Sequence, residues 1–206
     1  MRKSFFVIGD SISIQYGPHL KKMTAPFLDS RPPDSPHTPD PDAESPAGVY
    51  SGDSSALIAR LAERREELKS YDLLLFNSGL HDLRTNPQTG AKQVELTAYR
   101  ANLATALDRI REIPVSPVWI TITPVDEAKH NTTGKEFFRF NRDVLAYNQA
   151  AAGVMEKNGV PILDLHAFTL SLGTAAILDG VHFTPDTSTL QAAFLAGCLS
   201  SFARAL

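Results

Sequence analysis

Only one cysteine, Cys198, occurs among the 206 residues, so no disulfide can form within the chain. Its setting in Leu195-Ala196-Gly197-Cys198-Leu199 reads as that of a small core residue, and a reducing compartment fits. A basic excess is also missing. The 20 Lys and Arg against 23 Asp and Glu leave a formal net charge of -3, with no electrostatic footprint for nucleic acid or an anionic membrane surface. No stretch approaches the roughly 18 uninterrupted apolar residues of a membrane span. The apolar run that follows Met1-Arg2-Lys3 breaks at Gly9-Asp10, too early for the h-region of an export signal. These absences predict a cytoplasmic protein with neither nucleic acid nor membrane as a partner. There is no internal repeat and no linker, so residues 1–206 are expected to form a single domain, long enough for a well-buried core. Oligomeric state leaves no readable mark.

Against these absences stand four short runs rich in β-branched or aromatic residues: Ser4 to Ile8, Tyr71 to Phe76, Val115 to Thr123 and Val160 to Leu165, with a weaker fifth near Ala47 to Tyr50. Their near-continuous apolarity is that of strands buried on both faces of a parallel sheet. Helical patterns separate them, over Ile14 to Leu28, Ser54 to Leu68, Val94 to Glu112, Phe138 to Lys157 and Thr187 to Ala205. Alternation of this kind predicts right-handed βαβ crossovers and a three-layer α/β/α sandwich with about five parallel strands. Asn158-Gly159 and Pro161 close the fourth helix, and Thr184-Pro185 suits the N-cap and first turn of the last. Ser30 to Pro46, dense in Pro, Asp and Ser, is expected to be a long surface loop.

Ligand sites of open parallel sheets lie at the carboxyl ends of the strands. The polar residues that follow the runs there are Gly9-Asp10-Ser11, Ser51-Gly52-Asp53 and Ser78-Gly79-Leu80-His81-Asp82, joined by Asp179-Gly180-Val181-His182 before the last helix. Their convergence on one rim suits acyl transfer, which needs a nucleophile, a base with an orienting carboxylate, and donors for an oxyanion. Ser11, on a strand-to-helix turn, is the natural nucleophile. The three-residue offset from Asp179 to His182 lets the carboxylate hold one imidazole nitrogen while the other faces the serine.

In this set and order the blocks resemble those of the SGNH/GDSL hydrolases, esterases and lipases of flavodoxin-like α/β/α fold. The resemblance implies Ser11 of Gly9-Asp10-Ser11 as nucleophile and as a backbone oxyanion donor, Gly52 of Ser51-Gly52-Asp53 as a second donor, and Asp179 and His182 as the remaining triad members. The third block, Gly79-Leu80-His81-Asp82, departs from the family's Gly-x-Asn-Asp by carrying histidine where an asparagine side chain donates, as in a subgroup with Gly-Leu-His-Asp. A neutral imidazole offers one N–H where an amide offers two, so His81 as third donor depends on its tautomer. The resemblance implies a serine esterase acting on small oxyesters, extending to O-acyl groups on carbohydrates, without a cofactor or metal.

Each assignment has a plainer rival. Ser11 is also a natural helix N-cap, a role that Ser13 fits better. His166, two residues after Asp164, is the alternative base, but neighbours two apart in a strand-like segment need not meet. His19 and His37 read as surface residues, Gly52 and Gly79 as turn glycines, and Asp82 as a structural carboxylate. A metal would have to gather His37, His81 and His182 with Asp34, Asp40 or Asp82, without the close ligand spacing of known zinc motifs. Asp126 to Arg142 holds Lys129, His130, Lys135, Arg139 and Arg142, favoured as a solvated loop and helix start over a receiver of an anionic substrate group. Arg84 either lines the pocket as a substrate-binding residue or pairs at the surface. Two further functions compete: an SGNH-like protein that binds an acylated or glycosylated ligand without turnover, and a phosphate or nucleotide binder at Gly9-Asp10-Ser11, which lacks a phosphate-cradling glycine loop.

Overall fold

In the computed structural model, which describes residues 2–30, 48–132 and 134–205, the first apolar run becomes β1 (Lys3–Gly9), buried from Ser4 onward. It leads through Asp10 into α1 (Ser11–Thr24). The helix begins three residues earlier than its apolar pattern suggests because Asp10 caps it. The Asp10 carboxylate accepts from the Ile12 N–H at 3.0 Å, and its carbonyl takes the Ser13 N–H and hydroxyl. Asp10, rather than Ser11 or Ser13, is therefore the N-cap. The helix also ends short of Leu28. Ala25 is still helical, but Pro26 has no N–H with which to continue the helical bonds, and Leu28–Asp29 pairs as β2 with Lys3 and Ser4 of β1.

The remaining elements are β3 (Gly48–Tyr50), α2 (Ser54–Glu63), α3 (Arg65–Leu68), β4 (Leu73–Phe76), α4 (Leu96–Arg111), β5 (Ser116–Ile120), α5 (Glu127–His130), α6 (Asn141–Lys157), β6 (Ile162–Leu163), α7 (Leu165–Ser171), a 3₁₀ turn (Thr174–Ala176) and α8 (Pro185–Ala205). The predicted helix over Ser54 to Leu68 is broken at Arg64, whose φ of -98° and ψ of 8° leave the helical well. The run from Val160 to Leu165 yields only a two-residue strand, because Asp164 caps α7 by accepting from the Ala167 N–H. Thr184 caps α8 as expected, its hydroxyl accepting from the Thr187 N–H. The proline-rich stretch, with Asp34, His37 and Asp40, lies outside the described residues from 31 to 47.

All strand pairs are parallel, in the order β2-β1-β4-β5-β6, with β3 also on β1. β2 meets β1 at Lys3 and Ser4 and β3 meets it at Val7 to Gly9, so the two short strands occupy one edge of β1 in succession. β4 takes the other edge, pairing Phe5 with Leu73 through Ile8 with Phe76. Five strand positions result, as predicted. Connections run one way from β1 to β3 and the other way from β3 onward, so right-handed crossovers place helices on both faces. α1 packs with α8, which also meets α7, whereas α2 packs with α4 and α4 with α6. One continuous apolar core joins the layers. At its centre Phe76 meets Trp119 edge-on, with ring centroids 5.0 Å apart, a geometry that adds about 0.5–1.5 kcal/mol beyond burial. The direction in which strands are added reverses between β1 and β4, and the crevice at their carboxyl ends is where a ligand fits.

Candidate active site

Two of the four polar turns at this rim owe their shape to local capping. Ser11 is the first helical residue of α1. With the Ile12 N–H satisfied by Asp10, the Ser11 N–H is one of the helix's orphan donors, and no described residue accepts from it. At the end of β3, Ser51 donates its N–H to the Gly9 carbonyl at 2.7 Å, tying the second turn to the first. Gly52 follows with φ +80°, a conformation that a side chain would strain, and Asp53 caps α2 through the Ser55 and Ala56 N–H groups. The Gly52 N–H also meets no described acceptor. After β4, the fully buried Asp82 carboxylate accepts from the Ser54 N–H and the Ser78 hydroxyl, so it fastens the third turn to the start of α2. Burial raises the Asp82 pKa despite these bonds.

The last turn carries Asp179 and His182. His182 Nε2 lies 2.9 Å from the Ser11 Oγ, and its Nδ1 lies 2.7 Å from Asp179 Oδ2. Asp179 Oδ1 accepts from the backbone N–H groups of Val181 and His182, which orients the carboxylate toward the ring. Burial acts to raise the Asp179 pKa, but the His182 side-chain and backbone bonds and that from Val181 outweigh it, holding the carboxyl well below its ordinary range. A carboxylate so held requires the proton on His182 Nδ1 and leaves Nε2 to accept from Ser11. Two clasps hold the turn against the sheet. Gln15 of α1 donates to the Phe183 carbonyl and accepts the Phe183 N–H, and the Gly180 carbonyl accepts from the Asp126 N–H. At Gly180 (φ +97°) a Cβ would come within 2.6 Å of the His130 backbone, so a side chain is excluded there by both strain and space.

His81 turns its Nε2 to the Tyr50 hydroxyl at 2.8 Å. Burial, then the neighbouring Arg84 and Arg139, push the His81 pKa down to about 4, and burial raises that of Tyr50. Both groups are therefore uncharged at neutral pH. Each brings one hydrogen, and one is used between them. Either the tyrosine donates and the imidazole keeps a free Nδ1–H, or the imidazole donates and the tyrosine keeps a free O–H. The pair has one donor to spare in both arrangements. Nothing in the sequence flagged Tyr50, which ends the weakest strand.

These residues open on a cavity of about 330 Å³, whose lining joins Ser11, Tyr50, His81, Asp179 and His182 with Arg84, His130, Lys135, Phe137 and Arg139. The favoured solvated reading of Asp126 to Arg142 thus fails at its centre. Arg139 is 5% exposed and, with Lys135, faces the cavity, while Lys129 and Arg142 point elsewhere, to the Ile177 carbonyl and the Phe140 ring. Arg84 also lines the cavity and forms no ion pair with a described residue. His166 does not reach the site. It lines a separate apolar cavity with Thr169 and Leu170, and its N–H bonds to Thr121. His19 is half-buried against the Thr189 hydroxyl rather than free at the surface. Among the described residues no three metal-ligating side chains come together, and no described helix is long and apolar enough to cross a membrane.

The geometry has relatives. A lipase/acylhydrolase from Enterococcus faecalis is similar in structure with a TM-score of 0.69 at 18% identity, the match covering 98% of this chain and 96% of that one. A carbohydrate esterase of family 3 from Talaromyces cellulolyticus gives 0.68 at 15%, covering 99% of each chain. An acetyl xylan esterase gives 0.68 at 13%, covering 95% of this chain and 99% of its own. At such identities the likeness is one of fold. A search of curated proteins finds no match. The model of the GDSL-like lipase/acylhydrolase family matches residues 7–189, from β1 through the Asp179 to His182 turn and into α8. With that match spanning most of its length, the chain belongs to the GDSL-like lipase/acylhydrolase family and is an SGNH-type hydrolase.

Proposed function

We propose that the chain is a serine esterase of small oxyesters, with Ser11 as nucleophile, His182 as general base and acid, and Asp179 as its orienter. The observation that carries this reading is the unbroken relay from Ser11 Oγ to His182 Nε2 at 2.9 Å and from His182 Nδ1 to Asp179 at 2.7 Å. His182 takes the hydroxyl proton as Ser11 Oγ bonds to the ester carbonyl carbon, and the carbonyl electron pair moves onto oxygen. The pair then returns, the bond to the alcohol oxygen breaks, and His182 gives that oxygen its proton. Water repeats the sequence on the acyl-enzyme, releasing the acid and restoring Ser11. The N–H groups of Ser11 and Gly52 serve the oxyanion, joined by the donor that His81 and Tyr50 have to spare. Two structural neighbours, an acetyl xylan esterase and a carbohydrate esterase, support O-acyl sugars as a substrate class.

Turnover of a short aryl acetate tests the assignment. Ser11→Ala is expected to abolish hydrolysis while its melting transition stays near that of wild type. Equal rates for the two proteins would exclude Ser11.

A further inference from the structure

The cavity is lined with more cationic charge than hydrolysis of a neutral ester requires. Arg84, Lys135 and Arg139 line it, against one carboxylate, Asp179, already committed to His182. They meet through a pairing distant in sequence. Thr85 and Phe138 exchange N–H bonds at 2.8 Å in an isolated antiparallel bridge, which sets Arg84 beside Phe137 and Arg139. Both guanidiniums then lie against the Phe137 ring, with Cζ 4.3 and 4.8 Å from its centroid.

Bringing two like charges onto one ring is unfavourable unless something offsets it. Burial and the Arg84 charge both lower the Arg139 pKa, to about 10, still leaving it charged at neutral pH. No described carboxylate is within ion-pair distance of Arg84, Lys135 or Arg139. Asp10 and Asp53 contribute only from a distance, the first capping α1 and the second capping α2 and accepting from Gln93.

Arg139 is nonetheless held rigidly. Its Nε donates to the Leu80 carbonyl at 2.7 Å and its Nη1 to His130 Nε2 at 2.6 Å. A guanidinium can only donate, so His130 Nε2 accepts and the His130 proton sits on Nδ1, where the Asn131 side-chain oxygen receives it. The same oxygen accepts the Arg139 N–H, and the Asn131 amide donates to the Arg139 carbonyl. Arg139 Nη2 meets no described acceptor, and the Arg84 side chain makes no hydrogen bond to a described residue, its buried Nε included. Fixed guanidiniums with unused donors on a cavity wall match the planar, two-pronged geometry of a carboxylate or phosphate.

We propose that Arg84 and Arg139, with Lys135 at the rim, form a subsite for an anionic group of the substrate, so that the ester hydrolysed carries a carboxylate or phosphate on its acyl or alcohol half. This specificity rests on the esterase reading, but the subsite is tested without it. Binding is measured by calorimetry with amide analogues that resist hydrolysis. N-phenylsuccinamic acid against its primary amide probes an acyl-side carboxylate, 4-acetamidobenzoate against 4-acetamidobenzamide an alcohol-side carboxylate, and 4-acetamidophenyl phosphate against 4-acetamidophenol a phosphate. At least one anion is expected to bind about tenfold or more tighter than its neutral partner. That preference should shrink in Arg84→Gln and in Lys135→Gln, and should fall as salt is raised. The exposed position of Lys135 makes its variant the safer fold. Neutral analogues binding as tightly as all the anions, or a preference that both variants retain, would overturn the subsite. Hydrolysis of the neutral ester methyl 4-acetoxybenzoate reports separately on the esterase reading.

Discussion

At the scale of single residues, His81 is where the chain departs from the family's third block, and its neighbour shows how an imidazole can stand in for an amide. An asparagine brings two N–H groups and needs no partner to set its protonation. A histidine brings one and leaves its position open. The Tyr50 hydroxyl at Nε2 makes the count of spare donors the same for either choice, since two uncharged groups with one bond between them keep one donor free. Removing a single oxyanion donor typically costs on the order of 10² to 10³ in turnover. His81→Ala is accordingly expected to fall by that much in kcat on an aryl acetate, with KM changing less, and His81→Asn to recover part of the loss. An alanine variant with wild-type kcat would mean that the third donor is not at this position. Asp82, adjacent in sequence, belongs to the scaffold, since its oxygens are taken by Ser54 and Ser78.

At the scale of elements, the site is assembled by side-chain amides that substitute for missing strand neighbours. Asn141 holds the Val125 N–H and carbonyl, Asn148 does the same for Ile122, and Gln15 does so for Phe183. The Gln15 clasp matters most, because Phe183 follows His182 directly and α1 carries Ser11. It ties His182 and Ser11, 171 residues apart in sequence and the base and nucleophile of the proposed mechanism, to one helix. Misplacement of catalytic groups by about 1 Å costs up to about 10²-fold. Gln15→Ala is therefore expected to lower kcat about tenfold or more with little change in KM, while melting still shows a folded protein. An unchanged kcat would place the coupling elsewhere. Such clasps are illegible beforehand, since a glutamine on a helix looks like any solvated polar residue until its partner is known. The strand runs, by contrast, were legible, because burial on both faces leaves a continuous apolar signature. Boundaries failed where one residue overrode the pattern: Asp10 starting α1 early, Pro26 ending it, and Asp164 converting a strand into α7.

At the scale of the whole molecule, the sheet's reversal between β1 and β4 brings four separated turns to one rim, and the motif blocks name those turns because each must carry a fixed chemistry. The cationic part of the cavity lining was hidden in a charge run whose solvated reading is the commoner one. It emerges only from the bridge between Thr85 and Phe138, a contact with no local signature. The same topology that buries Trp119 and Phe76 at the centre thus sets Ser11 in the lining of the cavity with His182 alongside. A serine so placed differs from the chain's other hydroxyls by its reactivity toward phosphorus electrophiles, which does not depend on knowing the substrate. Labelling with a fluorophosphonate, followed by peptide mass spectrometry, tests this most directly. The account predicts one adduct, on Ser11, formed far more slowly in His182→Ala and absent in Ser11→Ala. An unlabelled wild-type protein, or an adduct that persists at another residue when Ser11 is replaced, would contradict it.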